Sequence, residues 1–223
     1  MALNLHYWAI RGLNEPIVTL AEHAGLSYKL HSKDTRENWS IEKEQLLSKG
    51  FAFANLPYSE IDGKYTSESL GVLAQVAHLG GKDELLPTPA QMADFQETCG
   101  FIGDLNNAVT IPAYTSKDIN ELKEKVNAFV AGQKGKIQAL SDRLGKQQWL
   151  LGDKLSILDF RFAETIERMK VMNTEIGFDN YGIDFANFDA YLARFLQLSG
   201  VKEYRASDRF QARPFNNTMA IWK

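Results

Sequence analysis

Leu3-Asn4-Leu5-His6-Tyr7-Trp8-Ala9-Ile10-Arg11-Gly12-Leu13-Asn14-Glu15-Pro16 is the stretch on which the fold turns. Leu3 to Trp8 alternates apolar and polar side chains, the period of a strand with one buried face, and ends in two aromatics. Arg11-Gly12-Leu13-Asn14 reads as a turn. Glu15-Pro16 reads as a helix start, because proline at the first helical position gives up an N–H that has no intrahelical partner. Ile17, Leu20, Ala21 and Ala24 then share one helical face, and Gly25 ends the run.

Outward from this strand-turn-helix unit, Ser27 to His31 reads as a second strand. Residues 32–50 are polar and charged and read as a surface excursion with at most one irregular helical turn. Tyr58-Ser59-Glu60-Ile61 and Lys64-Tyr65 flank Asp62-Gly63, a two-residue hairpin signal. Thr66-Ser67-Glu68-Ser69 opens a helix with Ser69, Val72, Leu73 and Val76 on one face.

Gly80-Gly81 and Pro87-Thr88-Pro89 bracket a linker, and the pattern beyond is helical. Met92, Phe95, Cys99, Ile102 and Leu105 recur every three or four residues, as do Ile119, Leu122, Val126 and Phe129, followed by Ile137, Leu140 and Leu144. Ser156-Ile157-Leu158-Asp159 reads as a capping box with Asp in place of Glu. Phe160, Ala163 and Ile166 follow it, and Phe188, Tyr191, Leu192 and Phe195 form a further helical face. The expectation is an α/β thioredoxin-like domain over residues 1–83 and an all-α domain over residues 90–223.

Composition narrows the function. Of 223 residues, 44% are hydrophobic and 24% charged, enough apolar material for a packed core. The 28 acidic and 25 basic residues leave a net charge of −3, which argues against a phosphate-neutralising nucleic-acid binder. No apolar run reaches the ~20 residues of a spanning helix, so no membrane partner is expected. The single cysteine, Cys99, excludes a disulfide framework and a CxxC pair and fits a cytoplasmic protein. His6, His23, His31 and His78 share no ligand spacing, so no metal is expected, and no glycine-rich phosphate loop is present.

Several stretches together resemble a glutathione transferase, most closely the mu class. They are Tyr7-Trp8 with Ile10-Arg11-Gly12-Leu13, Asn55-Leu56-Pro57-Tyr58, Glu68-Ser69, Ser156 to Phe160, and the tail from Ser207 through Arg213-Pro214 to Trp222. The resemblance spans nearly the whole chain. It implies conjugation of reduced glutathione to hydrophobic electrophiles in detoxification, with glutathione as substrate and the protein a homodimer. A non-enzymatic ligand-binding or structural member of the fold, or a sigma-like glutathione-dependent isomerase, are the alternatives.

By the same resemblance, Tyr7 is the catalytic residue. The physical case is independent: a thiol with pKa ~8.5 is mostly protonated at neutral pH, and a hydroxyl donating to sulfur stabilises the reactive thiolate. Taken alone, Tyr7 reads first as a strand aromatic, packed on the core or half exposed, and the Arg11-Gly12-Leu13 turn behind it favours the catalytic role. Glutathione is further held, by resemblance, by Trp8, Leu13, Arg36, Trp39, Lys43, Asn55, Leu56, Pro57, Glu68 and Ser69. An X-Pro bond such as Leu56-Pro57 is either cis, turning the Leu56 backbone toward an extended peptide ligand, or an ordinary trans strand start. Glu68-Ser69 at a helix N-terminus suits a carboxylate ligand or plain capping. The mu class usually carries Gln at the Glu68 position. Arg36, Trp39 and Lys43 resemble the residues that take the glycine carboxylate, and otherwise read as a solvated loop. Trp8, Ile10, Leu13, Ile111, Tyr114 and Asn216 correspond to the electrophile pocket, or to plain core. Asn216 and Asn217 stand where the class has an aromatic and a serine. Phe53 matches an aromatic that some classes insert into the partner subunit. Asp94 and Asp104 are both candidates for an Asp that reaches the partner's γ-glutamyl group.

Overall fold

The computed structural model describes residues 2–180 and 182–223. The chain forms two compact units, Met1–Asp83 with Ser199–Asn217, and Glu84–Leu198 with Thr218–Lys223.

The first unit opens with β1 (Leu3–Trp8), α1 (Glu15–His23) and β2 (Tyr28–Lys33), followed by α2 (Arg36–Ser48). A hairpin, β3 (Tyr58–Ile61) and β4 (Lys64–Ser67), leads into α3 (Ser69–Leu79). The sheet order is β2-β1-β3-β4, with β1 parallel to β2 and the other pairs antiparallel. This is the thioredoxin-like arrangement expected from the order of elements. Asp62 and Gly63 both take positive φ, 49° and 76°, as a two-residue hairpin turn of the favoured hand requires. Leu3 and Leu5 are buried on one face of the sheet, and α1 packs against α3 through side chains with no solvent exposure, among them Ile17, Leu20, Val72 and Val76.

Two expectations are corrected here. Residues 36–48 form a full helix, not an excursion with one loose turn. Thr35 caps it, its hydroxyl accepting the Asn38 N–H at 3.1 Å. The helix escapes apolar periodicity because Leu46 is its only buried residue. Thr66 and Ser67 complete β4, so the next helix begins at Ser69 rather than three residues earlier. The tail differs as well. Ser199–Asn217, including α8 (Val201–Arg205), belongs with the first unit instead of extending the helical one. Buried Tyr204 donates to Glu15 Oε2 at 3.3 Å, and the Arg11 guanidinium lies over Phe215 at 4.5 Å.

The second unit holds α4 (Met92–Thr115), α5 (Ile119–Lys146), α6 (Ile157–Ile176) and α7 (Ala186–Phe195). Short 3-10 turns at Asp83–Leu85 and Pro89–Gln91 occupy the expected linker. Phe160, Phe162, Phe188, Tyr191 and Phe195 interlock edge-to-face or tilted, with centroids 5.2 to 5.6 Å apart. The capping box is present: Asp159 Oδ2 accepts the Ser156 N–H at 2.8 Å, and Oδ1 accepts Leu150 N–H and Tyr191 Oη–H. No helix among the described residues is long and apolar enough to cross a membrane.

Candidate functional site

Strand register gathers most of the expected residues at one end of the first unit's sheet. His6 faces Tyr58 across β1 and β3, and Tyr58 faces Ser67 across β3 and β4. One step further along, Tyr7 is the last residue but one of β1, Leu56-Pro57 precedes β3 and Glu68-Ser69 follows β4. Three segments far apart in sequence therefore meet because the strands terminate together. The Leu56–Pro57 peptide is cis, and Leu56 is buried. Ser67 Oγ donates to the Phe53 carbonyl at 2.6 Å, which ties the loop before Pro57 to the end of β4.

Tyr7 is buried, and its phenol oxygen accepts the Leu13 backbone N–H at 3.1 Å. That amide comes from the turn between β1 and α1. Gly12, at φ +44°, lets the turn fold against the ring: a Cβ there would lie 2.6 Å from the phenol oxygen. Arg11 braces the turn from behind. Its N–H donates to the Pro214 carbonyl at 2.9 Å, and its guanidinium donates to the Ala212 carbonyl at 3.3 Å. Tyr7, Leu56 and Tyr58 form one apolar cluster with Leu46 and Ala54, flanked by Trp8, Ile10, Leu13 and Trp39.

Glu68 holds φ +65°, a backbone conformation that costs a non-glycine residue ~1–3 kcal/mol and that concentrates at ligand sites. Its side chain makes no capping bond, which leaves the first amides of α3 without a side-chain acceptor from the cap position. Ser69 is half-buried beside them, while Glu68 and Asn55 are exposed.

Arg36, Trp39 and Lys43 lie on α2 at i, i+3 and i+7, hence on one side of the helix. Trp39 and Lys43 are half-buried and Arg36 is exposed. The sequence alone treats these residues as loop. The helix that aligns them is the structural feature it missed.

Beneath α2 sits a polar cluster that sequence reading also missed. The His6 ring stacks between His31 at 4.5 Å and Tyr58 at 4.1 Å. Glu42 accepts from Tyr58 Oη and pairs with Lys33 Nζ. Lys33 Nζ also lies 3.3 Å from His6 Nδ1. Burial, reinforced by the Lys33 charge, lowers the His6 pKa to about 4, so the ring is neutral at physiological pH. Burial works against ionisation of Glu42, but bonds from Lys33 and Tyr58 outweigh it and hold the carboxylate below its ordinary range. Burial and the Glu42 carboxylate push Tyr58 well above the usual phenol range.

The remaining expected residues lie within their own units. Asn216 belongs to the first unit and is 2% exposed. Ile111, 53% exposed, and Tyr114 share one face of α4 in the second unit. Asp94, also on α4, pairs with Arg143 at 2.9 Å. Asp104 is exposed on the same helix.

Comparison with known proteins gives a concordant result. Residues 123–194 match the glutathione S-transferase C-terminal domain. Glutathione S-transferase Mu 2 of Macaca fuscata fuscata is 32% identical over 235 aligned positions, covering 100% of this chain and 99% of that protein. A class-mu 26 kDa isozyme of Fasciola hepatica is 28% identical, covering 97% and 94%. Among solved structures, the glutathione S-transferase Blo t 8 superposes with a TM-score of 0.77 at 27% identity over 98% of each chain. A structure described as monomeric Na-GST-3 from Necator americanus shares the fold, with a TM-score of 0.74 at 20% identity over 96% of this chain and 100% of its own. A full-length match above 30% identity, on a sheet that brings Tyr7, Leu56-Pro57 and Glu68-Ser69 to one end, makes this chain a member of the glutathione S-transferase family.

Proposed function

We propose that this family member binds reduced glutathione along the end of the first unit's sheet and uses Tyr7 to hold its sulfur as thiolate for attack on hydrophobic electrophiles. The observation that carries the reading is the 3.1 Å bond from the Leu13 amide to the Tyr7 phenol oxygen. An oxygen that accepts one hydrogen bond is a better donor through its own O–H, because the two bonds polarise each other. Donation from Tyr7 to sulfur then favours the anion. Lowering a thiol pKa by ~2 units takes ~2.7 kcal/mol. A hydrogen bond to a charged group supplies ~1.5–3 kcal/mol.

The tripeptide lies extended in this reading. Its cysteinyl part pairs with the Leu56 backbone beside Asn55 and Pro57. Its γ-glutamyl carboxylate meets Ser69 and the first amides of α3, with Glu68 taking the ammonium. Arg36, Trp39 and Lys43 take the glycine carboxylate. Trp8, Ile10 and Leu13 give the electrophile an apolar surface beside Tyr7, and Ile111 and Tyr114 are electrophile contacts on the strength of the resemblance. Detoxification is the corresponding physiological role. A cytoplasmic setting belongs to the same proposal, and the single free thiol, Cys99, fits a reducing compartment.

The test is Tyr7→Phe, assayed with glutathione and a generic aryl halide. Conjugation at pH 7 falls ~10–100-fold and the pH–rate profile moves alkaline, while calorimetry still detects glutathione binding. Unchanged rates remove Tyr7 from the mechanism. Absence of binding heat in the wild type removes the nucleophile and the reading with it.

A further inference from the structure

Helix α2 carries the three residues assigned to the glycine end of glutathione, yet it has little apolar surface with which to dock. Its inward stripe is Trp39, Glu42, Lys43 and Leu46, and of these only Leu46 is buried. At 100° per residue, Trp39 and Leu46 form the centre of the stripe, Glu42 one flank, and Lys43 with Arg36 the other. The Glu42 flank is turned to the sheet. Its carboxylate pairs with Lys33 Nζ of β2, accepts from Tyr58 Oη of β3, and lies 3.5 Å from His6 Nδ1 of β1. Other titratable groups facing this cluster are His31, stacked on His6, Glu60, 4.0 Å from His6 Nε2, and Tyr65, edge-on to Tyr58 at 6.2 Å. One carboxylate thus joins the helix to three neighbouring strands, in a setting where the Lys33 and Glu42 side chains keep only 12% and 25% of their exposure.

We propose that Glu42 is a positioning residue for glutathione: it anchors α2 to the sheet and so sets Trp39 and Lys43 where the glycine carboxylate is held. The inference rests on the glutathione reading above. Without the carboxylate, Lys33 and Tyr58 lose their shared acceptor and α2 spends part of its time displaced. Apparent affinity falls in proportion to the fraction of molecules with the helix in place. Tyr7 packs in the same apolar cluster as Tyr58 and Leu46, but its phenol oxygen is held by the Leu13 amide of the β1–α1 turn, so the chemical step in the saturated enzyme changes far less than the affinity.

The experiment compares wild type, Glu42→Ala, Glu42→Gln and Lys33→Met by calorimetry with reduced glutathione, by aryl-halide kinetics and by amide hydrogen exchange. Glu42→Ala raises the glutathione Kd ~10-fold or more, with exchange rising over residues 34–50. The kcat at saturating glutathione stays within ~2-fold, separating KM from kcat. Glu42→Gln keeps the shape and the acceptor for Tyr58, and recovers part of the loss. Lys33→Met leaves the carboxylate in place, loosens the same joint and raises Kd in its own right, which keeps the test open if Glu42→Ala fails to fold. A Kd within ~2-fold of wild type in both Glu42→Gln and Lys33→Met overturns the proposal, as does a joint loss of kcat and affinity with exchange rising throughout the unit. Wild type that gives no heat with glutathione overturns the functional reading itself. Wild-type heat undiminished in the variants overturns only the role of Glu42.

Discussion

Gly12 has no side chain where Tyr7 needs the space. Its φ of +44° already favours glycine, and a Cβ would press on the phenol oxygen at 2.6 Å and on ring carbon Cε1 at 2.7 Å. Gly12→Ala therefore carries two separate penalties. Left-handed backbone costs a side-chain-bearing residue ~1–2 kcal/mol. The displaced ring also loses the Leu13 amide, and with it the polarised O–H. The expected outcome is a melting temperature lower by a few degrees, at ~2–4 °C per kcal/mol for a chain of this size. The kcat/KM for conjugation falls ~10-fold or more. An alanine variant with wild-type kinetics would show that the phenol does not depend on that turn. A glycine behind a strand end is visible in the sequence as a turn signal. Its closeness to Tyr7, five residues earlier, is not, because it depends on how the chain reverses.

At the scale of elements, helices with a sound apolar stripe were legible. α1, α4 and α5 bury most of the residues their spacing predicts, such as Ile17, Leu20, Ile102, Leu105, Val126 and Ile137, whereas Met92 and Ile119, the first residues of α4 and α5, stay exposed. α2 was not legible, because its inward side chains include a charge, and charge reads as surface until its partners from β1, β2 and β3 are in place. Two joints between elements carry opposite pH signatures. His6, in the joint of β1 with α2, has its pKa lowered from 6.5 to about 4 by burial. Between those values the unfolded chain binds a proton that the folded chain refuses, so stability from His6 is full above pH 6.5 and lost as pH falls toward 4. Asp159, fully buried at the start of α6, has its pKa raised by burial from 3.8 to about 6, against the pull of its hydrogen bonds from Leu150 and Ser156. There the folded chain binds the extra proton, so its ionisation weakens the fold as pH rises through that window. The two effects oppose each other between pH 4 and 6. Replacing His6 by Gln removes one of them. Its unfolding free energy, measured by urea titration, will rise relative to wild type as pH drops from 6.5 to 4. A variant with the same pH profile as wild type would show that His6 is not held neutral.

At the scale of the whole molecule, the net charge is −3 and no helix among the described residues is long and apolar enough to cross a membrane. A homodimer is proposed for this chain, and Phe53 supports it: the ring is 81% exposed although the Ser67 hydroxyl holds its carbonyl. A large apolar ring presented on a tethered loop suits insertion into a second copy of the chain, the homodimer that the family resemblance implies. Phe53→Asp will raise the dimer dissociation constant by ~30-fold or more in sedimentation equilibrium, the effect of removing a central ~2 kcal/mol contact. A wild-type protein that sediments as a monomer at micromolar concentration would leave Phe53 without that role.

Sequence by itself determined the strand-turn-helix opening, the hairpin at Asp62-Gly63, the buried cap at Asp159 and the family motifs. Each of these is written in neighbouring residues and obeys a local rule of period, turn or cap. Only the tertiary structure decided that residues 36–48 are a helix, that Ser199–Asn217 returns to the first unit, and that His6, Lys33, Glu42 and Tyr58 form one cluster. Those outcomes depend on which distant groups share a desolvated space. A lone lysine, glutamate or histidine in a sequence carries no mark of the partner that makes its burial tolerable.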